Sequence, residues 1–213
     1  MRTQGLKKLV KAVIPSGLIR YRGPSTQNRV ALTFDDGPVP GITDEVVRRL
    51  AARGHRATFF VLGRRAESHP SLVSSIVESG CEVANHTYSH TLLKRVSYDQ
   101  IADEVERTER ILGKTVVEPS WFRPPGGGLS WKVFLYLRRR RMRTSPVLWS
   151  VCVPHEHRKS RGEILDTLRR SIPSPGDIVL LHDDHPTIVE ALPSILDLLD
   201  ERGLRSVSLS ELL

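Results

Sequence analysis

Val30-Ala31-Leu32-Thr33-Phe34-Asp35-Asp36-Gly37-Pro38 is the stretch whose reading decides the rest of the chain. Its first five residues are apolar or β-branched, as in a buried strand, and two adjacent carboxylates follow where a Gly-Pro turn stops it. In parallel α/β folds catalytic side chains gather at the carboxyl ends of strands, where neighbouring carboxylates can divide metal binding from proton transfer. Asp-Asp-Gly is also an ordinary turn sequence. The pair gains weight only from what lies downstream.

From Arg29 onward strand and helix patterns alternate. Helical periodicity over Thr43 to Arg53 leads into a strand at Ala57 to Leu62, and a helix over Pro70 to Ser79 leads into Glu82-Val83-Ala84. A helix over Tyr98 to Leu112 turns Ile101, Val105, Thr108 and Leu112 inward. It is followed by a strand at Ser120-Trp121-Phe122, a helix from Ser130 to about Arg141, and a strand at Pro146 to Trp149. A helix over Gly162 to Ser171, a strand at Asp177 to Leu181, a helix over Thr187 to Arg202 and a closing segment Val207 to Leu213 complete the series. One crossover helix per strand predicts a parallel sheet that curls into a barrel.

The unusual polar residues fall where those strands stop. Asp35 and Asp36 follow the first; Asn85, His86 and His90 follow Glu82-Val83-Ala84; Arg123 follows Trp121-Phe122; His182, Asp183 and Asp184 follow Ile178 to Leu181. In a closed barrel these ends share one rim, so the clusters converge on one cleft. His86-Thr87-Tyr88-Ser89-His90 offers two imidazoles four residues apart. With Asp36 they make a two-nitrogen, one-carboxylate set with open positions for water, which zinc favours for hydrolysis.

The 213 residues are 39% hydrophobic and 26% charged, enough for one sizeable core, and the formal net charge of +8 suits anionic partners without selecting a reaction. Cys81 and Cys152 lack zinc-site or disulfide-scaffold spacing and read as free thiols. Residues 1–24 form a basic N-terminal segment ahead of a domain spanning 25–213. Leu6, Leu9, Val10 and Val13 share a helical face there, with Lys7, Lys8 and Lys11 mostly off it. That pattern fits a helix docked on the body, or peripheral contact of residues 1–20 with an anionic membrane. The segment is no convincing signal peptide, so the expectation is a cytoplasmic or membrane-peripheral protein, with export left open. Arg138 to Arg141 end a helix and lack interleaved aromatics, so nucleic-acid binding is not expected. His55 and His69 read as surface residues.

Thr33-Phe34-Asp35-Asp36-Gly37-Pro38, His86-Thr87-Tyr88-Ser89-His90, Phe122-Arg123-Pro124-Pro125-Gly126 and Leu180-Leu181-His182-Asp183 together resemble four of the five motifs of the NodB-homology polysaccharide deacetylases, in order. The resemblance implies an α/β fold of the distorted (β/α) barrel type with seven strands. It also implies metal-dependent removal of N-acetyl groups from an N-acetylhexosamine-containing glycan or glycan precursor. Carried over by position, Asp36, His86 and His90 would hold a divalent metal, most simply zinc with cobalt as a substitute. Asp35 would be the base, Arg123 its partner, and His182 the acid for the leaving amine. Pro124 and Pro125 have no N–H, so Gly126 is the first backbone donor available to an oxyanion.

The sequence also departs from that pattern. Gly126-Gly127-Gly128 stands where the family commonly has an aromatic followed by glycine. The fourth motif falls in Trp149 to His157 without an aspartate, with Cys152 and His155 at the acidic positions and Glu156 at the tryptophan position. Support for His182 would then pass to Glu156, or to Asp183 or Asp184. Hydrolysis of another amide or an O-acetyl ester, or glycan binding with little catalysis, stays open as an alternative.

Overall fold

A computed structural model describes residues 19–115, 121–139, 145–153, 160–171 and 173–213. Among them are the strands β1 (Arg29–Asp35), β2 (Ala57–Val61), β3 (Glu82–Asn85), β4 (Trp121–Phe122), β5 (Ser145–Pro146), β6 (Val151–Cys152), β7 (Ile178–His182) and β8 (Arg205–Ser206). Helices α1 (Thr43–Ala52), α2 (Gly63–Ser68), α3 (Pro70–Glu78), α4 (Tyr98–Leu112), α5 (Trp131–Arg139), α6 (Arg161–Arg170), α7 (Thr187–Asp200) and α8 (Leu209–Leu212) lie between and after them.

All named strand pairs are parallel, in the order β5-β4-β3-β2-β1-β7-β6, with β8 beside β1. The strand expected at Pro146 to Trp149 is instead split into two partner-switching pieces. The Val147 N–H donates to Phe122 on β4 (2.9 Å), whereas the Ser150 N–H donates to Ile178 on β7 (3.0 Å). One extended run therefore joins both edges of the seven-strand path and closes a distorted barrel. The switch has a local cause, because Pro124 and Pro125 have no N–H with which to prolong the β4 ladder.

Alternation along β1 sorts the core into two layers. Val30, Leu32 and Phe34 meet the helices in one large cluster with Val46, Leu50, Leu192 and Leu196. Ala31 faces the barrel interior with Phe60, Ala84, Val147 and Ile178. The closing segment ends as α8, whose Leu209 and Leu212 join that interior cluster. His55 is buried rather than on the surface. The loop from α1 turns it under the sheet, where Nδ1 accepts the Ser206 N–H (3.1 Å) and Nε2 faces Asp200 Oδ1 (3.0 Å).

Residues 1–18, which carry the expected interfacial face, lie outside the described residues. Arg20 pairs with Val147, Arg22 lies opposite Asp177, and the Gly23 N–H donates to Gly176 (2.8 Å). The end of the basic segment is thus laid along the barrel. Among the described residues no helix is long and apolar enough to cross a membrane.

Candidate active site

Asp35 ends β1 with its side chain directed into the barrel, and Arg123 enters the same space from β4, fully buried. The small residues Ala31 and Ala84 leave room there for a guanidinium group. Arg123 Nη1 donates to Asp35 Oδ1 (2.6 Å) and Thr33 Oγ1 (2.9 Å). Nε and Nη2 donate to the carbonyls of Val147 and Leu148, both at 3.3 Å, at the point where the strand changes partners. The guanidinium also lies 4.0 Å from the centre of the Phe60 ring. Burial lowers the Arg123 pKa and the Asp35 carboxylate opposes that shift. A buried cation of this kind is tolerable only when paired and hydrogen-bonded.

The backbone carbonyl of Arg123 orients the next group. It lies 2.7 Å from His86 Nδ1 and can only accept, so Nδ1 carries the proton and Nε2 presents a lone pair. His86 Nε2 is 3.6 Å from both Asp35 Oδ2 and Asp36 Oδ1, while His90 Nε2 is 3.3 Å from Asp36 Oδ1. Burial pushes the His86 pKa down against the pull of the two carboxylates, favouring the neutral imidazole that a metal requires. Ligand atoms of Asp36, His86 and His90 lie within 4.8 Å of one another. Asp36 Oδ1 is buried without a hydrogen-bond partner among the described residues. An orphaned carboxylate oxygen facing two imidazole nitrogens suits a divalent cation, so the residues fit the group.

Both ligand loops depart from ordinary backbone geometry. Asp36, Thr87 and His90 have φ of 76°, 71° and 67°, a region that costs an L-residue about 1 kcal/mol or more. Asn85 Oδ1 accepts the Thr87 N–H (2.8 Å), and Glu104 Oε2 accepts the N–H groups of Tyr88 and Ser89 (2.9 and 2.8 Å). Arg65 Nη1 donates to the Asp36 carbonyl (2.8 Å). Asp183 Oδ1 accepts the Gly37 N–H (3.0 Å) and Oδ2 the Thr43 hydroxyl (2.5 Å). A Cβ at Gly37 would stand 2.2 Å from Asp183 Oδ2, which explains glycine there. Burial first, then the charges of Asp36 and Asp184, raise the Asp183 pKa to about 7, against the donors Thr43 and Gly37.

His182 ends β7, directly paired in register with Asp35 and nearly buried. Asp183, weighed above as its partner, turns to the opposite side of the strand, with both oxygens engaged by Gly37 and Thr43. Asp184 is half-buried, and its Oδ1 is buried without a hydrogen-bond partner among the described residues. Glu156, with His155 and His157, lies outside the described residues. In the glycine loop the N–H groups of Gly127 and Gly128 donate to Pro124 and Pro125. Gly126 has φ 61°, which accounts for glycine in place of an aromatic, and a Cβ on Gly127 would meet the Trp149 ring at 3.0 Å.

Residues 22–144 match the sequence profile of the family Polysaccharide deacetylase. The chain belongs to this family. A peptidoglycan-N-acetylglucosamine deacetylase of Bacillus cereus is 35% identical over 210 residues, covering 96% of this chain and 97% of the relative. The crystal structure of a peptidoglycan N-acetylglucosamine deacetylase superposes with a TM-score of 0.84 at 30% identity, over 92% of each chain. A mutant CE4 family pseudoenzyme with restored enzymatic activity gives 0.82 at 31% identity, over 91% of this chain and 70% of the other. The NodB-type barrel implied by the four motifs is therefore the fold observed. Membership makes the chain a polysaccharide deacetylase by class, a hydrolase that removes N-acetyl groups from a glycan, and metal binding is the general trait of that class.

Asp183 is expected from sequence as a partner of His182 but braces the Asp36 loop instead, and Glu104 and Arg65 are not among the expected site residues. Glu104 did leave a signal, since a carboxylate at position 104 interrupts the inward stripe of Ile101, Val105 and Thr108. Arg65 left none.

Proposed function

We propose that this chain hydrolyses the acetamide of N-acetylglucosamine residues in a peptidoglycan-type glycan. Asp36, His86 and His90 hold a zinc ion, for which cobalt can substitute. When bound, such an ion lowers the pKa of water and polarises the acetyl carbonyl. Asp35, held by Arg123, takes the proton from the attacking water as its oxygen bonds to the acetyl carbon. The Gly126 N–H donates to the carbonyl oxygen as charge grows there. His182 gives a proton to the sugar nitrogen as the C–N bond breaks, so acetate and a free amine leave.

The observation that carries this reading is the register of Asp35 against His182, with the orphaned Asp36 oxygen beside them. Base and acid candidates thus stand on adjacent strand ends, flanking one small space. The substrate rests on the likeness to the Bacillus cereus deacetylase over nearly all of both chains. Residues 1–20 are proposed to contact an anionic membrane.

Acetate release from N-acetylated glycans, measured with metal-free and with zinc- or cobalt-loaded protein, tests the proposal. Release should require the ion, and Asp35→Asn should retain the ion while losing turnover. Glycan binding without release would select the catalytically weak reading, which Cys152 in the fourth motif favours. Activity confined to non-sugar amides or O-acetyl esters would overturn the substrate assignment.

A further inference from the structure

Asp36, Thr87 and His90 are the non-glycine residues with left-handed backbone among the described residues, and all three belong to the loops bearing the candidate ligands. Side chains disfavour that region, Thr87 most because it is β-branched, so these conformations persist only where the surroundings over-determine them. We propose that Asp183 and Glu104 are positioning residues: neither ligands nor acid-base groups, they fix the two ligand loops by accepting their backbone N–H groups. The inference rests on Asp36, His86 and His90 being the metal ligands.

Asp183 acts on a single peptide plane. The Asp36–Gly37 peptide gives its N–H to Asp183 Oδ1 (3.0 Å), while its carbonyl accepts from Arg65 Nη1 (2.8 Å). With both ends of the plane held, rotation about ψ of Asp36 is restrained, which fixes the backbone from which its carboxylate faces His86 and His90. Thr43 braces the arrangement from α1. Its hydroxyl donates to Asp183 Oδ2 (2.5 Å) and accepts the Val39 N–H (2.7 Å), so the turn after Asp36 is tied at two further points. Gly37 permits this closeness because it has no Cβ to strike the Asp183 oxygens.

Glu104 does the same for the second loop from α4. Its Oε2 accepts two successive N–H groups, of Tyr88 and Ser89, and Oε1 accepts the Ser89 hydroxyl (2.5 Å). Those peptides lie between left-handed Thr87 and left-handed His90, so Glu104 sets the path by which His90 returns to His86. A carboxylate is the side chain that accepts three donors at once, and charge-assisted bonds of this kind are the stronger ones.

The test is metal affinity of the full chain. Metal-free protein is titrated with cobalt, followed by its visible absorption, and with zinc by calorimetry, with thermal unfolding of each variant alongside. Asp183→Ala and Glu104→Ala should bind either ion about 10- to 100-fold more weakly, the scale for losing groups that orient metal ligands. Asp183→Asn and Glu104→Gln, which keep one acceptor oxygen, should lose less. Folded Ala variants with parental affinity would overturn the proposal, even with a lower Tm, since a merely structural brace moves Tm alone. If the Ala variants fail to fold, parental affinity in both Asn and Gln variants overturns it. Asp36→Ala is the control: if it too keeps parental affinity, the metal-site reading has failed, and the positioning roles with it.

Discussion

Arg123 touches Asp35 with its side chain and His86 with its main chain, at 2.6 Å and 2.7 Å. One residue thereby pairs the carboxylate assigned as base and selects the imidazole tautomer that faces Asp36. Its remaining guanidinium donors close the gap where the β5–β6 run leaves β4 for β7. Site and barrel closure thus share one buried cation.

Arg123→Gln should therefore fail in two ways at once. The substitution leaves Asp35 buried without its cation and strips donors from Val147 and Leu148, which should destabilise the fold by about 3 kcal/mol or more. Turnover should fall by roughly 100-fold, as for loss of a group that orients a general base. Urea unfolding and acetate release at saturating metal measure the two separately. Full stability with lost activity would confine Arg123 to the chemistry.

Asp183 gives a pH dependence of definite sign. Its pKa is about 7 in the fold and 3.8 as the reference, so between these values the folded chain keeps a proton that the unfolded chain has released. Stability of the metal-free protein should decline as pH rises from about 4 to about 7 and level off above, a loss of roughly 4 kcal/mol at most. Asp183→Asn removes this component. Urea unfolding of both proteins across that range should show the parent falling relative to the variant; parallel curves would contradict the raised pKa.

How much of this was legible in sequence depends on the kind of signal each residue leaves. Asp35, Asp36, His86, His90, Arg123 and His182 could be located because each follows a strand whose apolar run marks its own end. The partner switch at 147–150 could not, since Pro146 to Trp149 reads as one strand and the change depends on the two prolines that follow β4. Asp183 reads in sequence as a partner for the neighbouring His182. Its role depends on Thr43 and Gly37, some 140 positions away, which no local pattern connects to it.

The N-terminal segment separates into two parts with different expected behaviour. Deleting residues 1–18 should abolish salt-sensitive binding to anionic vesicles and leave turnover of a soluble substrate unchanged, if the face of Leu6, Leu9, Val10 and Val13 is interfacial. Deleting residues 1–24 also removes the backbone pairings of Arg20 and Gly23 and the ion pair of Arg22 with Asp177. That deletion should lower Tm by several degrees, the scale of about 1 kcal/mol in a domain of this size. Vesicle sedimentation and thermal unfolding decide the matter. Vesicle binding that survives the shorter deletion would remove the membrane role from residues 1–18.

His182 carries the prediction that reaches furthest, because its support is the part of the family pattern that this sequence alters. It stands beside Asp35 in register, so the proposed acid and the proposed base reach one cleft from adjacent strand ends. Asp183 is turned away and engaged, and the carboxylates proposed to support the ring are Glu156, which lies outside the described residues, and Asp184. Removing a neighbouring negative charge lowers an imidazole's pKa. The limb on which activity falls with rising pH should therefore move to lower pH. Glu156→Gln should show that displacement and a roughly tenfold loss of turnover, with His182→Ala losing more, as expected when a general acid goes. The two changes combined should be less than additive, since they disable one unit. A parental profile in Glu156→Gln, with the shift appearing in Asp184→Asn, would transfer the role to Asp184, whose buried Oδ1 has no partner among the described residues. Parental kinetics in His182→Ala would remove the acid assignment itself, and the proton for the leaving amine would then have to come from another group in the cleft.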